Sequence, residues 1–72
     1  MENKIVEILA EVLECDVNVE TSQSNCDFWD SMHHLNLIVE LEDAFELQFE
    51  PEEIAEMHSV SAIKRIIESK NN

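Results

Sequence analysis

Apolar residues return every three or four positions through most of the chain, which is the period of an α-helix. Ile5, Ile8, Leu9 and Val12, edged by Val6 and Leu13, predict an amphipathic helix over about residues 4–14, with Glu7, Glu11 and Glu14 on its other face. The period fails over residues 15–30, which collect Asp, Asn, Thr, Ser and Gln and read as a long first loop anchored by Val17, Val19 and Phe28. It resumes at Ser31, with Asp30 placed to cap the free amides of a helix running to about Leu47. On that helix His34, Leu37, Ile38, Leu41, Ala44 and Phe45 share one broad side, and His33, Asn36, Glu40 and Asp43 share the opposite one. Met32, Leu35 and Val39 form a separate apolar shoulder that a helix serving only as a core wall does not need, so they are a candidate contact surface.

Pro51 suits a first helical position, and residues Glu52 to Met57 predict a short third helix, with Phe49, Ile54 and Met57 pointing inward. Ser59 can cap a last helix from Val60 to about Ser69, whose buried stripe is Val60, Ile63, Ile66 and Ile67. Lys64, Arg65 and Lys70 then suit its negative C-terminal end. The expected fold is all-α: a four-helix bundle with a long first loop and a short third helix, in one domain over residues 1–72.

Size and charge narrow the function. Seventy-two residues bury only about 60% of the surface they expose when unfolded, which leaves little volume for a catalytic cleft. Gly is absent, so Gly-rich phosphate loops are excluded. Four Lys and Arg against seventeen Asp and Glu give a formal charge of −13, so nucleic acid and anionic membranes are not expected partners and basic proteins are. Residues 30–58 hold nine of the acids and no Lys or Arg, interleaved with apolar positions as the solvated face of packed helices. Apolar runs such as Leu37-Ile38-Val39 are three residues long, too short for a membrane span or a signal-peptide core after Met1. A cytoplasmic monomer is expected, with Cys15 and Cys26 as free thiols.

The chemistry converges on one serine. Asp30-Ser31-Met32 puts a hydroxyl in the first turn of the long helix, where free amides and the helix dipole favour an anion such as phosphate. On physics alone, a role in the helix cap is the favoured explanation of Ser31. Competing arrangements are weaker. Asp30, Ser31 and His34 lie within about one turn of a single helix, which does not allow a hydrolase relay. Cys15, Cys26, His33, His34 and His58 match no zinc spacing, and Glu50, Glu52, Glu53 and Glu56 lack a calcium loop. Trp29 serves either as a partner anchor or lid, or as a loop aromatic packed onto the bundle.

The run Trp29-Asp30-Ser31-Met32, followed in register by Leu37, Leu41-Glu42, Phe45, Phe49, Glu52-Glu53-Ile54, Met57, Ser59-Val60 and Ile63, resembles the acyl carrier protein family over nearly the whole chain. Met32 stands where that family has Leu in its Asp-Ser-Leu motif. The resemblance implies that Ser31, flanked by Asp30 and Met32, carries a covalent 4′-phosphopantetheine whose thiol holds acyl groups as thioesters. It implies a non-catalytic shuttle serving fatty-acid, polyketide or specialised biosynthesis. Implied partners are a phosphopantetheinyl transferase, an acyl-loading ligase or acyltransferase, and a ketosynthase or other thioester-processing enzyme with a basic patch. Leu35 and Val39 would meet them together with the acids Glu40, Glu42, Asp43, Glu46 and Glu53. His33, His34 and Asn36 replace the acids common early in this helix, a departure that leans toward a stand-alone carrier of a specialised pathway. Two alternatives stay open: an aminoacyl or peptidyl carrier, and an acidic helical adaptor that is never modified.

Overall fold

The computed structural model describes residues 2–71. Among them four α-helices follow one another: α1 (Glu2–Leu13), α2 (Ser31–Phe45), α3 (Pro51–Glu56) and α4 (Val60–Asn71). α1 packs on α2 and α4, and α3 packs on α4. The centre of the α1 stripe is Ile5, Leu9 and Leu13, all essentially inaccessible, while Val6, Ile8 and Val12 flank it half-buried. Leu13 is therefore central rather than marginal, because an i, i+4, i+8 row is what lies deepest between two neighbouring helices.

The other helices complete a single hydrophobic cluster: Leu37, Ile38 and Leu41 from α2, Met57 after α3, and Val60, Ile63, Ile66 and Ile67 from α4. Phe45 sits at its rim, half-buried, under the Lys4 ammonium 5.9 Å from its ring centre. Truncating a fully buried member such as Leu41 to Ala removes about 2–5 kcal/mol, a large share of what a domain this small possesses.

The first loop is long but bound. The Gln23 amide donates to the His58 carbonyl at 2.8 Å and the Val60 amide to the Thr21 carbonyl at 3.0 Å, tying the loop to the start of α4. A single 3-10 turn, Gln23–Asn25, sits between these ties and Ser31. The anchors differ from the expectation: Val17 packs on the core, but Val19 and Phe28 are exposed, and Trp29 is buried in place of Phe28.

Helix ends follow from caps. α2 stops at Phe45 rather than Leu47, because Glu46 turns left-handed (φ 55°, ψ 49°) and the Leu47 amide closes back on the Glu42 carbonyl at 3.1 Å. Pro51 opens α3, which ends at Glu56, one residue before the expected Met57. The Ser59 hydroxyl accepts the Ala62 amide at 3.1 Å, capping α4. Lys70 lies in the last turn of α4 as expected and also reaches across to Glu53 at 2.9 Å, whereas Lys64 sits earlier in the helix and reaches Glu2 at 3.5 Å.

Candidate functional site

The residues around Ser31 are held on both sides of it. Asp30 is extended and caps α2: its Oδ1 accepts the His33 amide at 2.9 Å and lies 2.8 Å from His33 Nδ1. The amide bond from His33, then the ring contact, hold the Asp30 carboxyl below the usual carboxylate range. One residue earlier, Trp29 is only 3% exposed, and its backbone N–H donates to the Cys26 carbonyl at 3.1 Å.

The indole makes the more telling bond. Trp29 Nε1–H donates to His34 Nδ1 at 2.9 Å, and His34 Nε2 lies 2.8 Å from the Ile54 carbonyl in α3. An indole nitrogen only donates and a carbonyl only accepts, so the ring must carry its proton on Nε2. His34 thus bridges the loop before Ser31 to α3, with the two rings roughly parallel at 6.1 Å. Both ring nitrogens are committed, so His34 serves neither a hydrolytic relay nor a phosphate at Ser31. The helical phase puts His34 on the inward side but gives no sign of this bridge; an inward-facing imidazole needs two partners, and the nearby indole is a donor within reach.

Ser31 itself is exposed at the first position of α2. The amides of Ser31 and Met32 have no intrahelical acceptor, and they point out at the positive end of a 15-residue helix. A phosphodiester on the Ser31 hydroxyl fits this setting: the hydroxyl is open, the nearby amides supply donors, and the Asp30 charge is drawn toward His33.

Beside the serine runs an apolar strip. Met32, Leu35 and Val39 are 72%, 62% and 60% exposed, and Phe28 in the preceding loop is 58% exposed. Past Val39 an open groove of about 350 Å³ lies between α1 and α2, lined by Ile8, Val12, Asn36, Val39, Glu11 and Glu40. Of the candidate acids, Glu40, Asp43 and Glu46 are exposed. Glu42 and Glu53 have internal duties. Glu42 Oε2 accepts the Phe49 amide at 3.0 Å, and Glu53 Oε1 accepts the Glu50 amide at 2.7 Å while pairing with Lys70. The Glu50 amide first, then Lys70, keep Glu53 below the ordinary carboxylate range.

Among the described residues no three His, Cys, Asp or Glu side chains gather to hold a metal ion, and no helix is long and apolar enough to cross a membrane. A small helical bundle presenting an open serine at a helix N-terminus is suited to carrying a group rather than transforming it. The family model described as the phosphopantetheine attachment site matches residues 3–67, and the chain belongs to that family, the carrier domains of the acyl carrier protein type. No curated protein matches the chain. Domains of this family are sites of covalent 4′-phosphopantetheine attachment, are themselves non-catalytic, and work with a phosphopantetheinyl transferase and thioester-processing enzymes.

Proposed function

We propose that Ser31 is the attachment residue and that the chain carries acyl groups as thioesters between partner enzymes. The observation that carries this reading is the Ser31 hydroxyl, open at the first position of α2 while its neighbours on both sides are pinned. In the loading reaction the Ser31 oxygen attacks the pantetheine-bearing phosphorus of coenzyme A. A Ser31–phosphorus bond forms, the pyrophosphate linkage breaks, the nucleoside bisphosphate leaves, and the serine proton passes to the transferase. The bound group supplies a terminal thiol for thioester chemistry. The chain contributes a fixed origin for the arm and the amides of Ser31 and Met32 beside its phosphate.

Partners meet the face of α2 that continues from Ser31. Met32, Leu35 and Val39 supply apolar contact, and Glu40, Asp43 and Glu46 attract a basic patch. Glu42 and Glu53 add to the same negative field while holding their internal partners. Acyl transfer in fatty-acid, polyketide or specialised biosynthesis uses this chemistry. His33, His34 and Asn36, none of them acidic, favour a specialised set of partners. A reducing compartment such as the cytoplasm suits the free thiols of Cys15 and Cys26.

Intact mass before and after incubation with coenzyme A, magnesium and a broad-specificity transferase tests the assignment. Wild-type chain gains one phosphopantetheine, and Ser31→Ala gains none. A folded wild-type chain that no transferase modifies, or a Ser31→Ala chain that is still modified, overturns it; the former outcome points to the acidic adaptor.

A further inference from the structure

The first loop brings together two nucleophiles that the carrier role does not use. Cys15 follows α1, and Cys26 lies in the loop ahead of Ser31. Their sulfurs are 3.6 Å apart, within hydrogen-bonding reach, and both thiols are free and half-buried. Structure on each side builds this approach. Glu14 turns the chain through a left-handed conformation (φ 54°) straight after α1. The backbone ties of Thr21 and Gln23 to the start of α4 hold the intervening loop, and the Cys26 carbonyl is engaged by the Trp29 amide.

The pair can also be reached. The two cysteines line an open depression of about 270 Å³ together with Asp16, Thr21, Asn25, Asp27 and Phe28. Asp16 and Asp27 repel anionic oxidants and admit neutral or cationic ones. Burial first, then the bond to Cys26 and the negative charges of Cys26 and Asp16, push the Cys15 thiol above the ordinary thiol range.

We propose that Cys15 and Cys26 form a reversible disulfide under oxidising conditions, a clasp joining the end of α1 to the loop that leads into Ser31. The sulfurs need to close from 3.6 Å to about 2.05 Å, a short approach for two side chains already in contact. The oxidant is a small organic disulfide, RSSR. Cys26 thiolate attacks one of its sulfurs, the S–S bond breaks, and the departing thiolate takes up a proton. Cys15 then gives up its proton and attacks the Cys26 sulfur, expelling the second RSH. Two protein thiols are oxidised, one small disulfide is reduced to two thiols, and a dithiol reductant reverses the exchange.

Closing this loop restricts the unfolded chain. It also stiffens the segment whose Cys26 carbonyl holds Trp29, two residues before the attachment serine. The expected rise in Tm is roughly 5–15 °C.

The full-length chain is treated with cystamine, a cationic disulfide, then desalted. Its intact mass, its thiols open to alkylation and its Tm by far-UV circular dichroism are measured. Ser31→Ala is run beside it so that no arm thiol takes part. Both chains should lose two hydrogens, resist alkylation and gain the stated Tm, and dithiothreitol should undo all three changes. Cys15→Ser and Cys26→Ser should each take one cysteamine adduct and show no such rise. A folded chain that keeps two alkylatable thiols, accumulates cysteamine adducts, links only between molecules, or forms the disulfide without a rise in Tm overturns the proposal.

Discussion

His34 is the residue whose removal should reveal most about how this carrier holds the segment around Ser31, the proposed attachment serine. His34→Leu keeps much of the side-chain volume and deletes both ring nitrogens. It leaves Trp29 Nε1–H, on a side chain only 3% exposed, without its acceptor at 2.9 Å. A buried donor left unpaired costs about 1–3 kcal/mol, whereas the Ile54 carbonyl keeps the Met57 amide at 3.2 Å and loses only its second donor, at a smaller cost. The expected destabilisation is about 2 kcal/mol, equivalent to a fall in Tm of roughly 8–16 °C for a domain of this size. Urea unfolding by far-UV circular dichroism measures it, and the emission of Trp29, the chain's one tryptophan, should shift to the red as the indole gains water. A double-mutant cycle isolates the bond. In a Trp29→Phe background no indole donor remains to be orphaned, so His34→Leu should cost about 1–2 kcal/mol less than in the wild type. Stability within about 0.5 kcal/mol of wild type for His34→Leu, or strictly additive losses in the cycle, would refute the reasoning.

Two further outcomes follow from backbone and charge. Glu46→Gly should stabilise the chain by about 0.5–1 kcal/mol, because the left-handed conformation at Glu46 is costly for a residue with a Cβ and easy for Gly; a Tm at or below that of the wild type counts against this. Acidification should show two opposed effects. Asp30 and Glu53 sit below their ordinary values of 3.8 and 4.5, so each adds stability that is present above those values and lost as pH falls through its lower folded value. Protonation of other carboxylates meanwhile relieves self-repulsion in a chain of charge −13. Tm should therefore rise slightly from neutrality to about pH 5 and then fall, with a shallower fall in Asp30→Asn and Glu53→Gln. A Tm that declines steadily from pH 7 would contradict this balance.

The helices were legible because each buries a face at helical period, and the phase of that period names its residues. Their ends were less so. α2 terminates at a glutamate in a conformation usually assigned to Gly, and a chain with no Gly offers no such marker. In the first loop no period exists to decide which of two adjacent aromatics is buried. Trp29 is the buried one, and its indole N–H finds an acceptor in His34. Ser31 could be read from its Asp-Ser frame and the downstream register, but the bridge that pins its neighbourhood spans twenty residues to Ile54 and leaves no local pattern. Glu42 and Glu53 had the same difficulty: in sequence they resemble the acids around them, and only the fold shows their carboxylates serving the Phe49 and Glu50 amides.

The distribution of the scarce cations explains how so acidic a chain folds and still presents an undiluted negative face. Lys64 pairs with Glu2, joining α4 to α1. Lys70 pairs with Glu53 and lies 5.8 Å from the Phe49 ring centre, joining α4 to α3. Lys4 covers the Phe45 ring, joining α1 to α2. Each contact is partly exposed and screened by water, so the core remains the source of stability. Their positions matter more than their strength. Three of the four cations sit where helices meet, and residues 30–58, which include all of α2, contain no Lys or Arg to offset Glu40, Asp43 and Glu46. On the docking face proposed above, a basic partner would meet unopposed carboxylates at long range and the Met32, Leu35 and Val39 strip at contact. Charge sets how fast it arrives, and the apolar area removed from water, at about 25 cal/mol per Å², sets how well it holds. Neither contribution disturbs the core, because the residues that make them lie on the side of α2 opposite Leu37 and Leu41, or along its edge. Substitutions on this proposed docking face should consequently leave the fold that fixes Ser31 unchanged.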